Sequence, residues 1–426
     1  MKMKKNLKVI LILIALLPIF VHTILLGISV VKSDYRPFGK FDLIIFAVVL
    51  VYLFCVIFVR NNREHLIRLI LIAYAFILAV LLCEAFLNFV YNPDSYMPLR
   101  PKHRVTSAEE NVMPGISGRI EYSVNRFGVR GPEVKLDEAD IRILAIGGST
   151  VECLYVTDKL SWPWRLQDKL SERLGKNVFV GNAGISGHFT LDHIYLLRNY
   201  RYVEEFDYII LMSGMNDMGT FLRKNYNDRA QAFLGKGASG SSVYYRNMKL
   251  YKVCRKIFNR YFILETVVQD PWGRWHEARR QKRRKALENH TIRQVPAGLK
   301  KAIWIYRNNL RKIINICKDR KQNLLMVTQP SMYRKDLPPG LEKLLWEYVS
   351  EEEAYTAEVL EKILEAYNTA TIGVCGEEEI PCIDLASMLP KDTSVFYDDC
   401  HFNISGCEII SEILAEELVE LRKKSR

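Results

Sequence analysis

The stretch RILAIGGSTVE, residues 142–152, decides the fold. It opens with apolar residues that predict a buried strand, turns on two glycines, and ends in a hydroxyl pair. Ser149 follows the strand directly, so it is either the N-cap of a helix or the nucleophile of an enzyme. Taken alone, the stretch favours the helix cap, and the choice depends on the rest of the chain.

Strands and helices alternate after this stretch. Apolar segments predict four further strands, in NVFVGNAG, DYIILMSGMND, NLLMVTQP and IPCIDLA. Helical periodicity is found in WPWRLQDKLSERLG, TLDHIYLLRNYRYVEEF, AIWIYRNNLRKIINICKD and residues 405–422. This order predicts an α/β domain with a mostly parallel sheet and helices on both faces. Ligands of such sheets bind where the carboxyl ends of the strands open.

Three long apolar stretches precede residue 92. They cover residues 7–31, 43–59 and 66–91. Each is about long enough to cross a hydrocarbon core of roughly 30 Å at about 1.5 Å per residue. The first is longer than a secretory signal and lacks a small-residue cleavage site. We therefore predict a membrane domain over residues 1–92 with three transmembrane helices.

Basic residues near these stretches predict their orientation. Lysines precede the first stretch and arginines surround the start of the third: Lys2, Lys4, Lys5, Lys8, Arg60, Arg63 and Arg68. Positive charge favours the cytoplasmic side, so both clusters are expected there. An odd number of spans then places everything after Tyr91 outside. The sequence predicts a multi-pass cell-membrane protein with an extracytoplasmic C-terminal domain.

The part outside the membrane divides by composition. Residues 93–138 are rich in proline and turn signals and form a predicted connector. Residues 139–424 carry the α/β pattern. The stretch between the third and fourth predicted strands is longer than one crossover needs, so we predict an insertion at about residues 220–297.

The net charge of +12 comes from one segment. Residues 274–321 contain 16 Lys or Arg against three acidic residues, so the rest of the chain is close to neutral. The run of residues 279–285 is either a solvated helix face or a surface that contacts anionic lipid headgroups or an anionic wall polymer. No nucleic-acid partner is expected, because the segment is predicted to lie on the outer side of the membrane.

Four short polar blocks fall at predicted strand ends. They are GGST at 147–150, NAGISGH at 182–188, SGMND at 213–217 and DDCHFN at 398–403. An ester hydrolase needs an activated hydroxyl, a base, a group that orients the base, and donors for the oxyanion. The blocks contain a residue type suited to each of these roles.

Each role has a specific candidate. Ser149 is the candidate nucleophile, at a helix start whose N–H groups and dipole favour negative charge. His401 is the candidate base, and Asp398, three residues earlier, is placed to orient it. Asn216 offers a side-chain amide, and Gly187 offers an unobstructed backbone N–H.

The ordered set resembles the SGNH, or GDSL-type, hydrolase superfamily. In that family the blocks hold a serine, a glycine, an asparagine in G-x-N-D, and a D-x-x-H pair, as they do here over roughly residues 139–424. The resemblance implies an SGNH/flavodoxin-like fold and a working esterase site. The implied catalytic residues are Ser149, Asp398 and His401, and the implied oxyanion hole is Gly187 with Asn216. The segment YSVNRFGVRGPE also resembles a lead-in common in membrane-anchored members.

Two blocks depart from the family pattern or leave a choice. Gly148 and Thr150 stand where the namesake motif has aspartate and leucine. In the second block Gly184 and Gly187 both fit, and the position of Gly187 within SG favours it. The neighbouring His188 is either a pocket residue or a structural one.

Other enzyme signatures are missing. Val151 stands where the G-x-S-x-G elbow needs glycine, and no G-K-[ST] follows GGST. The histidines lack the carboxylate or cysteine spacing of a metal site, so neither a metal nor a cofactor is expected. Cysteines border the site, and the pairs Cys153–Cys400 and Cys375–Cys382 are two disulfide hypotheses.

The leading functional prediction is a membrane-anchored, extracytoplasmic serine esterase. It would remove acyl groups, chiefly acetyl, from a surface glycan or a related small ester. One alternative is an O-acyltransferase in cell-surface polysaccharide assembly, and another is an inactive SGNH-like domain that binds glycan or scaffolds a complex. The expected partners are the acylated glycan or small ester, membrane lipid and polysaccharide-assembly proteins.

Overall fold

The computed structural model divides the chain into two compact units. One comprises Met1–Asp94 with Leu234–Glu265, and the other comprises Ser95–Phe233 with Thr266–Arg426. The described residues are 2–31, 40–90, 97–99, 102–108, 112–224, 248–251, 253–254, 257 and 271–424. Much of the predicted insertion, and parts of the predicted connector, lie outside the described residues.

The first unit contains three apolar helices. They are α1 (Lys2–Val31), α2 (Lys40–Val59) and α3 (Arg63–Val90). Two of them carry stretches long and apolar enough to cross a membrane, Asn6–Thr23 and Arg63–Phe89. The apolar stretch of α2, Leu43–Val59, is shorter. Two N-terminal helices therefore could span a membrane, and the third span stays a prediction.

These three helices share a small contact and expose most of their apolar surface. The buried cluster contains Ala15, Val56 and Leu66. The Tyr52 hydroxyl donates to the Ala15 carbonyl oxygen at 2.9 Å. Large side chains elsewhere face outward, and Phe89 is 92% exposed. Water disfavours such a surface, whereas lipid tails accept it.

An antiparallel hairpin begins the second unit. It consists of β1 (Lys102–Ala108) and β2 (Gly118–Val124). Arg130 forms isolated bridges to both Val124 and Asn182, so the segment after the hairpin joins the edge of the next sheet. The lead-in segment thereby becomes part of the domain.

A five-stranded parallel sheet forms the centre of this unit. Its strands are β3 (Ile141–Gly147), β4 (Val178–Asn182), β5 (Tyr208–Met212), β7 (Asn323–Val327) and β9 (Cys382–Ile383), in the spatial order β4-β3-β5-β7-β9. Two further short strands, β6 (Thr291–Ile292) and β8 (Ala354–Tyr355), pair with each other. The strand order reverses beside β3, and the carboxyl end at such a point is where open α/β sheets bind ligands.

Helices cover both faces of the sheet. They are α4 (Ser149–Glu152), α5 (Trp162–Leu174), α6 (Thr190–Asn199), α7 (Met215–Leu222), α8 (Pro271–Asn289), α9 (Leu299–Asp319), α10 (Pro339–Glu342), α11 (Ala357–Glu378), α12 (Leu385–Met388) and α13 (Ile404–Lys424). Helix α5 packs on α13, while α6, α9 and α11 form a second group. The predicted α/β class is confirmed.

Two helices differ from the sequence prediction. The helix predicted over TLDHIYLLRNYRYVEEF ends at Asn199, and Val203–Glu205 forms a separate 3-10 turn. Helix α11 was not predicted, although Leu360, Ile363 and Leu364 recur at helical spacing and are buried.

Candidate active site

Ser149 lies in the turn that follows β3. Helix α4 is a single turn, and its N-cap is Gly148, which makes no side-chain capping bond. Cys153 ends the turn in the left-handed conformation at φ 53°. The helix-cap alternative for Ser149 is therefore wrong. The predicted dipole of a full helix is also missing, because a four-residue turn aligns few peptide units.

Close contacts require the two glycines that precede this serine. A Cβ atom on Gly147 would lie 2.3 Å from Val151 Cγ2, and one on Gly148 would lie 2.3 Å from Asn216 Nδ2. Real Cβ atoms do not approach other atoms this closely, so a side chain at either position would displace its neighbour. Glycine at 148 leaves the Asn216 amide room beside the serine turn.

A continuous hydrogen-bonded array joins three of the predicted residues. Ser149 Oγ lies 2.7 Å from His401 Nε2. His401 Nδ1 lies 2.8 Å from Asp398 Oδ2 and 2.9 Å from Oδ1. We call this the Ser–His–Asp array. The distances are those of ordinary hydrogen bonds between a hydroxyl, an imidazole and a carboxylate.

Aromatic rings fix the orientation of the imidazole. Tyr397 stacks on His401 with ring centroids 5.5 Å apart and planes at 10°, and Trp346 stacks at 6.1 Å and 16°. Trp346 Nε1 also donates to Asp398 Oδ2 at 2.9 Å. The buried carboxylate further accepts the backbone N–H of Cys400 at 3.1 Å. The array is therefore held by a shell of packed and hydrogen-bonded groups.

The ionisation of Asp398 and His401 is set by the attraction between them. Burial opposes the charge on Asp398, yet the adjacent His401 holds the pKa of this carboxyl below its usual range. Burial likewise lowers the pKa of His401, but the Asp398 charge outweighs it and raises that pKa well above the ordinary imidazole value. The carboxylate thus strengthens the basicity of the imidazole.

Asn216 lies at the start of α7, close to the serine turn. Its Nδ2 donates to the His188 carbonyl oxygen at 2.8 Å, and an amide nitrogen carries a second N–H. Asp217 accepts the Thr190 hydroxyl at 2.5 Å and the Ser213 hydroxyl at 3.2 Å, which anchors the turn. A small polar cleft beside the array is lined by Gly148, Ser149, His188, Ser213, Asn216 and Gln329, among others. The pocket alternative for His188 is favoured.

The second block forms the loop between β4 and α6. The Gly184 N–H donates to Asn182 Oδ1 at 2.9 Å, and a Cβ there would lie 2.3 Å from the Glu152 nitrogen. Gly184 is therefore a packing residue. Gly187 has φ +80°, a Cβ there would meet open space, and its neighbour His188 lines the cleft. The structure brings the other four predicted site residues together.

Glu152 connects this loop to the serine turn. It is buried and accepts the Ser186 N–H at 2.7 Å, the Ser186 hydroxyl at 2.6 Å and the Tyr122 hydroxyl at 2.9 Å. One carboxylate thus holds the turn, the glycine loop and the hairpin together. No sequence motif marks this glutamate.

Arg130 of the lead-in segment holds the far end of the same turn. Its side chain is buried and its Nε donates to Asp158 Oδ1 at 2.8 Å. Its terminal nitrogens donate to the carbonyl oxygens of Glu152, Cys153 and Val156. Glu152 ends α4 and the other two residues lie in the segment that follows it, so the guanidinium holds the end of the helix and this segment together.

The basic run of residues 279–285 is only partly exposed, and its contact with lipid or polymer stays a prediction. Arg280 and Arg283 are buried. Arg280 Nη1 donates to the Val112 carbonyl oxygen at 2.7 Å, and Arg283 Nη1 to that of Glu347 at 2.8 Å. Their guanidinium groups hold loops of the domain together. Lys282 of the same run is exposed.

The same helix brings a second histidine to the array. His276 is buried, and its Nδ1 lies 3.6 Å from Asp398 Oδ2. Its ring packs edge-on against Tyr155 and Tyr397. Burial lowers the pKa of His276 to about 4, so the ring is neutral at pH 7. No sequence motif marks this residue, because it comes from the predicted insertion.

The thiols near the site do not pair as hypothesised. Among the described residues, Cys153 and Cys400 form no disulfide. The Cys153 thiol hydrogen-bonds to that of Cys407, and Cys400 Sγ lies 3.9 Å from His401 Nδ1. Cys375 and Cys382 contact each other as thiols, and a disulfide between them stays a prediction.

One group of potential metal ligands occurs in the described residues. Asp398, Cys400 and His401 offer ligand atoms within 4.8 Å of one another. The carboxylate and imidazole atoms of this group already hydrogen-bond to each other and to Ser149. We therefore assign the group to the array.

Comparison with known proteins identifies the family. The model of the GDSL-like Lipase/Acylhydrolase family matches residues 145–409. Among solved structures, the chain is similar to LAE5, an alpha/beta hydrolase enzyme from the metagenome of Lake Arreo. That match has 12% identity, covers 66% of this chain and 95% of that chain, and has a TM-score of 0.37.

A second solved structure gives a similar match. It is Axe2, an acetylxylan esterase from Geobacillus stearothermophilus, at 12% identity over 66% of this chain and 94% of that chain, with a TM-score of 0.36. No curated protein matches the chain.

The fold and the family match define an SGNH-type ester hydrolase. The chain belongs to the GDSL-like lipase/acylhydrolase family, whose model spans more than half of its length.

Proposed function

We propose that the protein is a membrane-anchored, extracytoplasmic serine esterase that removes acyl groups, chiefly acetyl, from a surface glycan. The Ser–His–Asp array carries this proposal. Its hydroxyl, imidazole and carboxylate are joined by hydrogen bonds of 2.7 to 2.9 Å, which is the geometry that activates a serine.

In the proposed reaction Ser149 Oγ attacks the ester carbonyl carbon, and its proton passes to His401 Nε2. Asp398 keeps the imidazole oriented and stabilises the imidazolium that forms. The carbonyl oxygen becomes an oxyanion, for which we assign as donors the Asn216 amide and the backbone N–H groups of Gly187 and Ser149. Collapse expels the alcohol, which takes the proton from His401.

The second half of the reaction releases the acyl group. Water attacks the acyl-enzyme at the same carbonyl carbon while His401 takes its proton, and Ser149 recovers the proton as the acid leaves. Gly148, Ser213 and Gly214 line the cleft beside the serine. These residues are small, which supports a short acyl group such as acetyl. A long acyl chain would need a larger apolar channel.

The N-terminal helices support the anchoring part of the proposal. Two carry membrane-length apolar stretches, and the helices expose large apolar side chains. The distribution of lysine and arginine around the three predicted spans supports a hydrolase domain outside the cell membrane. There it would meet surface glycans, with membrane lipid around the anchor.

Acetate release tests this proposal. Purified full-length protein in detergent is expected to release acetate from 4-nitrophenyl acetate and from acetylated polysaccharide. The Ser149→Ala variant should lose at least about 10³-fold in kcat, because the nucleophile is removed. Ser387→Ala, at an exposed serine, is the matched control and should match wild type.

Two results would contradict the proposal. One is an unchanged rate in the Ser149→Ala variant. The other is transfer of the acetyl group to an added oligosaccharide without acetate release, which would make the protein an O-acyltransferase working with polysaccharide-assembly partners. Quantifying free acetate and acetylated acceptor in the same reaction separates hydrolysis from transfer.

A further inference from the structure

Arg279 differs from Arg280, Arg283 and Arg284 of α8 in its surroundings. Arg280 and Arg283 donate to backbone carbonyls, and Arg284 pairs with Glu277 at 2.8 Å. Arg279 has no hydrogen bond or ion pair within the part of the chain that the structure describes, and its Nε is buried without an acceptor. Its charge therefore lies near the carboxylates of Glu347 and Asp399 without forming an ion pair with either.

Three aromatic rings hold this guanidinium. Its Cζ lies 4.2 Å from the ring centre of Trp346, 5.0 Å from that of Trp275 and 5.1 Å from that of Tyr348. Guanidinium groups stack on aromatic faces and keep their N–H groups in a planar fork. The rings thus fix the orientation of the fork while leaving its hydrogen-bonding capacity unused.

Nearby carboxylates are already engaged. Glu347 accepts a hydrogen bond from Arg223. Asp399 accepts a hydrogen bond from the Tyr333 hydroxyl at 2.7 Å and one from the backbone N–H of Trp346 at 2.6 Å. A partly buried charge without a partner costs free energy, so a fold retains it where a ligand supplies the partner.

The position of this charge connects it to the Ser–His–Asp array. Trp346 contacts the guanidinium and also stacks on His401 at 6.1 Å. One indole ring therefore separates Arg279 from the imidazole. The Trp275 ring lies 5.6 Å from that of Trp346 and is 40% exposed, so it offers an apolar surface to a sugar ring.

We propose that Arg279, held by Trp275, Trp346 and Tyr348, binds a carboxylate or phosphate group on the glycan near the acyl ester. The substrate class is then an acylated anionic glycan, with the anion within about one sugar residue of the ester. This deepens the proposed function and rests on it for the position of the ester. Anion binding itself does not depend on turnover.

Equilibrium binding tests the proposal without catalysis. Full-length Ser149→Ala protein in detergent is titrated with an O-acetylated methyl glucuronoside, its uncharged methyl ester, and O-acetylated glucose 6-phosphate. We expect the acid or the phosphate to bind at least about 10-fold tighter than the uncharged ester, the ratio that a charge-assisted bidentate pair supplies. A preference for one anion identifies the carboxylate or the phosphate as the group recognised.

Substitutions test whether Arg279 causes the preference for the anion. Adding Arg279→Gln should reduce the ratio of anion affinity to uncharged-ester affinity to about 1. Arg279→Lys keeps the charge but loses the planar fork, so it should give an intermediate ratio. Arg284→Gln, on the same helix and paired to Glu277, is the matched control and should keep the full ratio.

Three results would overturn the proposal: equal affinity for the anion and the uncharged ester, no binding of any probe, or a full preference retained by Arg279→Gln. The binding experiment measures affinity in a protein without Ser149. A failure of the anion-binding proposal can therefore be told apart from a failure of the proposed esterase activity. A protein that releases acetate yet binds anion and ester equally would retain the proposed function and lose the anionic subsite.

Discussion

The Asp398 carboxylate is the most heavily bonded group of the site. It is fully buried and accepts hydrogen bonds from His401 Nδ1, from Trp346 Nε1 and from two backbone N–H groups. A buried carboxylate needs such partners to remain ionised. Its negative charge in turn raises the pKa of the imidazole, so one residue sets both the orientation and the basicity of His401.

The pH dependence of hydrolysis should report this coupling. His401 acts as a base only when neutral, and its pKa is raised well above the ordinary imidazole value. In wild type, kcat/KM should therefore increase with pH through that raised pKa. Asp398→Asn removes the charge, so the midpoint should move to lower pH while kcat falls about 10²- to 10⁴-fold.

Initial rates on 4-nitrophenyl acetate across a pH series measure both effects. Asp319→Asn, an exposed carboxylate at the end of α9, is the control and should keep the wild-type profile. An Asp398→Asn variant whose midpoint stays at the wild-type pH would disprove the electrostatic role of this carboxylate.

At the scale of elements, α4 depends on the lead-in segment. Arg130 donates to the carbonyl groups of Glu152, at the end of this single turn, and of Cys153 and Val156 beyond it, while pairing with Asp158. The sharp turn that exposes Ser149 is therefore stabilised by a segment that lies before β3 in the chain.

Replacing this arginine should destabilise the hydrolase domain. Arg130→Met leaves Asp158 buried without its partner, and breaking such a pair costs about 3 to 5 kcal/mol. Arg119→Met removes an exposed ion pair with Glu121 and should cost less than about 1 kcal/mol. Denaturant unfolding of both variants measures the difference. Equal free energies of unfolding would contradict the bracing role of Arg130.

Elements with local patterns could be predicted from the sequence. The apolar strands, the amphipathic helix α9 and the four polar blocks are each visible in a short window of residues. Ser149 and Asn216 come together because the carboxyl ends of the parallel strands β3 and β5 meet at one edge of the sheet. Asp398 and His401 were also predicted at a strand end, but they reach the array from the loop between α12 and α13. The family and the α/β class followed from the same blocks.

The remaining site residues depend on contacts between distant segments. His276 and Arg279 belong to a helix whose basic composition resembles that of a solvated surface. Trp346 lies in a loop without a motif. Their roles arise from packing against the array, and no periodicity or spacing encodes that packing. The signal that was available, tryptophans beside a dense basic run, indicates stacking but does not identify the partner.

At the scale of the whole molecule, the chain joins an apolar helical unit to an ester hydrolase domain. The excess positive charge of the chain lies in residues 274–321. Part of that charge is internal, since Arg280 and Arg283 hold loops, and part is paired at the surface, as Arg311 is with Glu377 at 2.7 Å. The net charge therefore overstates the basic surface available to lipid or polymer.

Labelling of right-side-out membrane vesicles with a membrane-impermeant fluorophosphonate tests both the nucleophile and its location. The probe phosphonylates an activated serine with loss of fluoride, so the full-length protein should be labelled without permeabilisation, and Ser149→Ala should not be labelled at all. Wild-type protein that is folded but stays unlabelled after permeabilisation would contradict the assignment of Ser149. Labelling that appears only after permeabilisation would contradict the extracytoplasmic location.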